Sequence, residues 1–460
     1  MNRNIFRKYD IRGVFPDDLD DSTVMTIGRA MADLAGPGGL LAVGRDCRLS
    51  GEYLFGLLAR GAASGRVRIA DMGVQTTPMT YFGAHHLLSE ATVMITGSHN
   101  PPEYNGFKIM KGLHTLSGDE IAALADTPEP PSSDLPEIKT VNILESYLDR
   151  LRSEFCLERS LKVVVDAGNG TGGIPACRIL TELGCRVVPL FCEPDGRFPG
   201  HHPDPTVEEN LVDLKKAVLA EGADIGLAFD GDADRLGVVD ERGRTVFGDR
   251  ILTVLARALL ESSPGATVIS EVKASRVFYD QVAAAGGRPI MSATGHSLIK
   301  QRMLDENALL AGEMSGHIFY RDRYYGYDDA LYASLRLLEI IAASGGSMSD
   351  LLSDIPELES TPELREDCPD ALKFRIVEAV RNRISAEYPT NCIDGVRIDF
   401  PDGWGLLRAS NTQPVLVMRF EAGSREALDS YERTVRKAIE EARRELDVQT
   451  DDRGHRAKDS

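Results

Sequence analysis

Short runs of aliphatic and β-branched residues alternate with stretches of helical period three times along the chain, after which the pattern changes. In the first repeat Leu40 to Val43 is apolar and ends in Gly44-Arg45-Asp46. A helical stretch follows from Gly51 to Ala63, and an apolar run at Val67 to Ala70 leads into a helix around Pro78 to Leu88. The run Val93-Met94-Ile95 then stops abruptly at Thr96-Gly97-Ser98-His99-Asn100-Pro101, the pattern of a buried strand breaking into a tight loop. The second repeat opens on Lys162 to Asp166, turns through Gly168-Asn169-Gly170-Thr171-Gly172-Gly173, and continues with a helix (Ala176 to Leu183) and a strand (Arg186 to Leu190). The third runs from Asp249 through a strand at Thr267 to Ser270 and on through Ala308-Leu309-Leu310 into Gly312-Glu313-Met314-Ser315-Gly316-His317. Strands alternating with helices in this way predict α/β architecture.

Beyond a Pro- and acid-rich stretch at 353–370, which reads as a hinge, the order is different. A helix (Asp370 to Glu387) precedes strands at Gly395 to Asp399, Gly405 to Ala409 and Val415 to Glu421, and a helix runs from Ser424 to about Leu446. The fold class expected is therefore three successive, similar α/β domains and a smaller C-terminal α+β domain. The boundaries fall at 1–142, 143–244, 245–356 and 357–447, with 448–460, which lack apolar periodicity, as a disordered tail.

The chain has 52 basic and 71 acidic residues, a net charge of −19, which speaks against nucleic acid or an anionic membrane as partner. An anionic substrate would need a local cationic pocket. Seven cysteines, scattered and without C-x-x-C spacing, fit reduced thiols in the cytoplasm better than a disulfide framework or a zinc site. The N-terminal stretch has no apolar signal region, and no apolar run reaches the length of a membrane span.

Against that background two stretches stand out. Ser98 sits in a Gly-flanked loop beside His99, with Lys108 following the turn Tyr104-Asn105-Gly106. Thr96 and Asn100 at the flanks exclude the G-x-S-x-G elbow of esterases. Far along the chain, Asp230-Gly231-Asp232-Ala233-Asp234-Arg235 lies between apolar runs. Aspartates at alternate positions of a loop can converge on one cation, and oxygen-only donors select a hard ion, Mg²⁺ or Ca²⁺. An EF-hand is excluded because Arg235 occupies the position that requires glycine and the flanks read as strands. A metal beside a serine points to phosphoryl chemistry. The glycines of 168–173 suit either a phosphate cradle or a tight strand–helix turn, and G-x-G-x-x-G is absent. The stretch Gly312 to His317 reads either as a polar-tipped loop or as a site in which Glu313 and Ser315 recognise sugar hydroxyls with His317 near the chemistry. Arg408-Ala409-Ser410-Asn411-Thr412, with Arg419 nearby, has the guanidinium and short donor groups that a phosphate monoester needs.

Together with Tyr9-Asp10-Ile11-Arg12-Gly13, the segments TGSHNP, DGDADR, GEMSGH and RASNT occur in an order that resembles the α-D-phosphohexomutase superfamily, in particular its bacterial phosphomannomutase/phosphoglucomutase group, over residues 3–447. The resemblance implies four domains around a central cleft, each supplying one motif. It implies Ser98 as the phosphorylated serine and, with Asp230, Asp232 and Asp234, as a Mg²⁺ ligand. Lys108, Arg12 and His317 would act at the reacting oxygens. Tyr9, Arg235, Lys273 and His296 would line the substrate site, Glu313 and Ser315 would hold the sugar's 3- and 4-hydroxyls, and Arg408, Ser410, Asn411 and Thr412 would hold the distal phosphate. Gly97 departs from the alanine found in many relatives, adding flexibility without removing a functional group.

The activity implied interconverts hexose 1-phosphate and hexose 6-phosphate, of mannose or glucose, through a phosphoserine enzyme and a hexose 1,6-bisphosphate. Mg²⁺ is the cofactor and glucose 1,6-bisphosphate or mannose 1,6-bisphosphate the activator. Partners are small-molecule sugar phosphates, and the protein is expected to be a monomer or weak dimer. Met314 and Asn411 favour this group over the alternative, a phosphoglucosamine mutase; a non-catalytic sugar-phosphate or Mg²⁺-binding protein is disfavoured by the intact Ser98, Lys108 and aspartates.

Overall fold

The computed structural model describes residues 2–130, 136–410 and 414–456, with side chains of the last helix described to residue 446. Asn411 and Thr412 lie outside the described residues. The chain divides into two compact units, one of Met1–Ile269, Val282–Pro289 and Gly295–Asp354, the other of Ser270–Gln281, Ile290–Thr294 and Ile355–Ser460.

Within the first unit a seven-stranded sheet runs in the order Ile11–Val14, Tyr104–Lys111, Ala91–Ile95, Leu40–Arg45, Arg68–Val74 and Ile138–Thr140, with His114–Thr115 added alongside Tyr104–Lys111. Ala91–Ile95 is buried at every position, because it lies mid-sheet, parallel to Leu40–Arg45 on one side and antiparallel to Tyr104–Lys111 on the other. Val43, Val93 and Ile95 share one core with Val24 and Ile27 of helix Asp21–Ala35 and with Leu54 and Leu58 of helix Gly51–Ala63.

The second sheet has five strands: Thr245–Val246, Leu236–Asp240, Ile225–Phe229, Lys162–Asp166 and Arg186–Leu190. The third has four: Arg288–Ser292, Thr267–Glu271, Leu310–Gly312 and Ile318–Tyr320. The C-terminal sheet is different in kind. Its central strands Val396–Phe400, Gly403–Ala409 and Val415–Ala422 are consecutive and antiparallel, and helices Asp370–Ile384 and Arg425–Arg456 cover a core that includes Ile398, Met418, Phe420 and Leu428. Three α/β domains followed by an α+β domain are what the hydrophobic pattern predicts. The final helix reaches Arg456, so its backbone continues into the stretch expected to be a tail.

The topology gives the four candidate motifs one architectural address. Three lie where two antiparallel strands connect: Ala91–Ile95 to Tyr104–Lys111, Ile225–Phe229 to Leu236–Asp240, and Leu310–Gly312 to Ile318–Tyr320; the described part of the fourth, Arg408 to Ser410, ends strand Gly403–Ala409, which pairs antiparallel with Val415–Ala422. Loops at strand ends escape the ladder's demand on their backbone and can carry polar side chains for chemistry while rigid strands hold their ends.

Candidate active site

The serine loop leaves its strand under strain. Ser98 has φ of +49°, in the left-handed region that costs a non-glycine residue about 1 kcal/mol or more. The conformation is held by Arg48, which is buried and spends all five guanidinium N–H groups. It donates to the carbonyls of Ser98 (2.7 Å), Asn100 (2.6 Å), Tyr104 (2.9 Å) and Pro101, and to the Asp46 carboxylate (3.1 Å). A Cβ on Gly97 would stand 2.5 Å from Cζ and Nε of Arg48, so the glycine expected only to add flexibility in fact makes room for this clamp. Ser98 Oγ donates to Asp230 Oδ2 at 2.8 Å and lies 3.1 Å from Nδ1 of His99. Burial and the Arg235 and Arg12 guanidiniums push His99 well below the usual imidazole range.

Lys108 reaches the acidic loop because the register pairs Met94 with Lys108, near the end of the strand that carries Ser98. Its Nζ donates to Asp232 Oδ2 at 2.7 Å and to Asp234 Oδ2. Asp232 Oδ2 also accepts from the hydroxyls of Thr77 (2.6 Å) and Thr96 (3.2 Å). Burial and the carboxylates of Asp232 and Asp234 push Asp230 well above the usual carboxylate range. Burial works against Asp232 in the same way, but Lys108 and the donors around it hold that group well below its ordinary value.

The site fits a divalent cation. Asp230, Asp232 and Asp234 are fully buried, and each offers an oxygen within 4.8 Å of the others. Asp232 Oδ1 and Asp234 Oδ1 have no hydrogen-bond partner among the described residues. The three carboxylates outnumber the one ammonium that pairs with them, and a hard divalent ion such as Mg²⁺ would take their oxygen donors alone.

The third loop docks on the second. Arg235 and His317 form a backbone bridge, Leu236 N–H donates to Gly316 O at 3.0 Å, and Gly316 at φ +91° approaches Leu236 more closely than a Cβ would allow. Arg235 Nε lies 3.1 Å from His317 Nε2, while His317 Nδ1 lies 3.0 Å from Asp328 Oδ2. Asp328 also holds Lys300 (3.1 Å) and lies 3.8 Å from Nδ1 of His296, whose ring stacks on His317 at 5.7 Å. Against the effect of burial, Lys300 and the two imidazoles keep Asp328 well below the carboxylate range. Burial and Lys300 push His296 well below the imidazole range. Glu313 is buried and accepts from Gly295 N–H at 2.7 Å, and Ser315 is half-buried in the same turn. Tyr9 sets its ring edge-on to His296 at 6.4 Å, and Arg12 bonds Asp10 (2.5 Å) and Asn100 (3.1 Å).

Of the residues read from the sequence, Tyr9, Arg12, Ser98, Lys108, Asp230, Asp232, Asp234, Arg235, His296, Glu313, Ser315 and His317 all belong to the first unit. Lys273, Arg408 and Ser410 belong to the second. There Lys273 lies 3.2 Å from Glu363 and 3.7 Å from Glu271, and Arg408 pairs with Asp394 at 3.0 Å. Sequence reasoning missed Arg48, Asp46, Thr77, Lys300 and Asp328. A signal existed for Asp328, an acid following the run Tyr324-Tyr325-Gly326-Tyr327; Arg48 and Thr77 had none, since the carbonyls that Arg48 clamps and the Asp232 that Thr77 meets are distant in the chain.

Among the described residues no helix is long and apolar enough to cross a membrane. The chain matches phosphoglucomutase/phosphomannomutase alpha/beta/alpha domain I over residues 3–127, domain II over 145–243, domain III over 247–358, and the C-terminal domain over 363–438. It is 45% identical over 441 residues to a phosphomannomutase/phosphoglucomutase of Pseudomonas aeruginosa, covering 95% of each chain. It is 44% identical over 449 residues to a phosphoglucomutase of Neisseria gonorrhoeae, covering 96% of this chain and 97% of that one. A crystal structure of a phosphoglucomutase/phosphomannomutase family protein from Burkholderia thailandensis superposes with a TM-score of 0.89 at 41% identity, covering 96% of this chain and 98% of that one. With all four domains matched in order, and with a buried serine, lysine and aspartate triad at the loops those domains contribute, the chain belongs to the phosphoglucomutase/phosphomannomutase family of the α-D-phosphohexomutases.

Proposed function

We propose that Ser98 carries the phosphoryl group in the interconversion of hexose 1-phosphate and hexose 6-phosphate, giving it to the free hydroxyl of a bound sugar phosphate and recovering the other phosphate from the bisphosphate so formed. The observation that carries this reading is the Ser98 hydroxyl, 2.8 Å from Asp230 in a strained turn, beside a triad of buried carboxylates bridged by Lys108. Asp230, Asp232, Asp234 and Ser98 would hold Mg²⁺, which when bound draws charge from the transferring group.

His317 is the candidate base. With Nδ1 facing Asp328, its Nε2 keeps the lone pair that now accepts from Arg235 and that a sugar hydroxyl would need for its proton. Arg12 and Lys108 supply positive charge at the reacting oxygens. Glu313 and Ser315 recognise ring hydroxyls, with Tyr9, Arg235, His296 and Lys273 lining the substrate. Arg408 and Ser410, with Asn411 and Thr412, grip whichever phosphate is not reacting. Glucose 1,6-bisphosphate or mannose 1,6-bisphosphate would rephosphorylate resting enzyme and so act as activator.

The test is Ser98→Ala. Intact mass should show one labile phosphate on the wild type and none on the variant, and the variant should have lost turnover with both mannose 1-phosphate and glucose 1-phosphate. Turnover like that of the wild type would remove Ser98 from the reaction.

A further inference from the structure

None of the seven cysteines is disulfide-bonded, yet two of them meet. Cys177 lies in the first half of helix Gly173–Glu182, and Cys192 lies two residues beyond strand Arg186–Leu190. Their sulfur atoms are 3.5 Å apart, and both residues are half-buried. Backbone on each side holds the pair. Cys192 Sγ is 3.4 Å from Leu190 O and 3.5 Å from Val165 O, and a Cβ on Gly173 would stand only 2.3 Å from Cys192 O, so the glycine lets the Cys192 backbone lie against the start of the helix. The phosphoryl site uses neither thiol.

We propose that Cys177 and Cys192 form a dithiol site that a hydroperoxide converts into an intramolecular disulfide. The Cys177 thiolate attacks one oxygen of the peroxide. The O–O bond breaks, Cys177 becomes a sulfenic acid, and the leaving hydroxide takes up a proton to give water. The Cys192 sulfur then attacks Cys177 Sγ. An S–S bond forms, the S–O bond breaks, and the oxygen leaves as water with the Cys192 proton. Two thiols lose two electrons, and hydrogen peroxide is reduced to two waters. The sulfurs have to close from 3.5 Å to the disulfide length of about 2.05 Å.

The order of attack follows from what each sulfur faces: Cys192 Sγ lies 3.4 Å from Leu190 O and 3.5 Å from Val165 O, carbonyl oxygens that accept from a thiol and disfavour a thiolate, which leaves Cys177 as the attacking sulfur. The contact with Cys192 lowers Cys177 below the ordinary thiol range, with burial opposing, whereas Cys192 is raised by the same contact and by burial. Burial pushes Cys47 up to about 12 and raises Cys185 and Cys368 as well, so these three are poor competitors for the oxidant. Cys156 and Cys392 are exposed, but among the described residues neither has a second sulfur beside it.

The full-length protein is reduced, freed of reductant, exposed to increasing hydrogen peroxide and alkylated for mass spectrometry. At low peroxide the wild type should lose two alkylatable thiols and the mass of two hydrogens, yield a peptide pair joined through Cys177 and Cys192, and recover both thiols with dithiothreitol. Cys192→Ser should stop at a dimedone-reactive sulfenic acid on Cys177, Cys177→Ser should prevent both products, and Cys47→Ser should leave the cross-link intact. Preferential oxidation of Cys156 or Cys392 with Cys177 and Cys192 still alkylated would overturn the proposal. A dimedone adduct on Cys192 in place of Cys177, or a cross-link to a different cysteine, would overturn it equally. The wild-type measurement needs no variant to fold.

Discussion

Replacing Arg48 with lysine keeps the charge and removes the fork. In the native structure the guanidinium serves four carbonyls of the serine loop and Asp46, each through its own N–H. An ammonium has three donors on one nitrogen and cannot span acceptors that lie on different sides of a planar group. At least two of the five acceptors would therefore lose their donor, and because the carbonyls of Asn100, Pro101 and Tyr104 are partly open to water each loss costs about 0.5–1.5 kcal/mol, so the serine loop should be destabilised by roughly 1–3 kcal/mol. Because 1.4 kcal/mol is a factor of ten in an equilibrium, even the lower figure opens the loop about fivefold more often. Native-state hydrogen exchange reads this directly at Gly97, Ser98, Asn100 and Tyr104, whose amides are bonded within or beneath the loop. The amides of strand Lys162–Asp166, in another domain, serve as the internal control. Phosphoryl transfer should fall together with the loop's protection, since misplacing a nucleophile by about 1 Å can cost a hundredfold in rate. If Arg48→Lys leaves exchange at these amides unchanged, the clamp does not hold the loop and the strain at Ser98 is maintained by something else.

Asp232→Asn should raise the Mg²⁺ concentration for half-maximal activity by roughly tenfold, the effect of about 1.4 kcal/mol, with the fold retained; a Mg²⁺ titration giving the wild-type midpoint would exclude Asp232 as a ligand. Arg408→Ala should lower kcat/KM by roughly ten- to a hundredfold, the value of a lost charge-assisted bidentate contact of about 1.5–3 kcal/mol, and equally for mannose 1-phosphate and mannose 6-phosphate. A loss confined to one substrate would place Arg408 at the reacting phosphate. Glu363, opposed by burial but paired with Lys273 and Arg365, is lowered to about 2. A carboxylate depressed in the fold contributes stability above its unfolded value and loses it as pH falls through the folded one, here from about 4.5 down to about 2, with a ceiling near 3 kcal/mol. The deficit in unfolding midpoint of Glu363→Gln should thus be full at neutral pH and shrink steadily below about pH 4.5; a deficit independent of pH would mean that packing, and not charge, is lost.

Fold class was legible because apolar period is a local property. The run Val93-Met94-Ile95 and its counterpart Ile225-Gly226-Leu227-Ala228-Phe229 announce buried strands whatever lies around them, and the consecutive strands after 395 announce the antiparallel sheet. Ser98 and the three aspartates were legible for a related reason: each motif lies within a few residues of chain, and their joint occurrence narrows the chemistry to a metal beside a nucleophile. The sequence could not show what acts across the chain. Arg48 binds the serine loop about fifty residues away, Lys108 bridges Asp232 and Asp234, and Asp328 lines up Lys300, His296 and His317, each through contacts that exist only once strand order and register are set. Gly97 shows the same limit: read along the chain it is a flexible residue, and in the fold it is the space that the Arg48 guanidinium fills. The chain's local chemistry chose the groups. Which charge neutralises which was decided by burial, because carboxylates taken out of water must find partners, and only the packed tertiary structure brings those partners within reach.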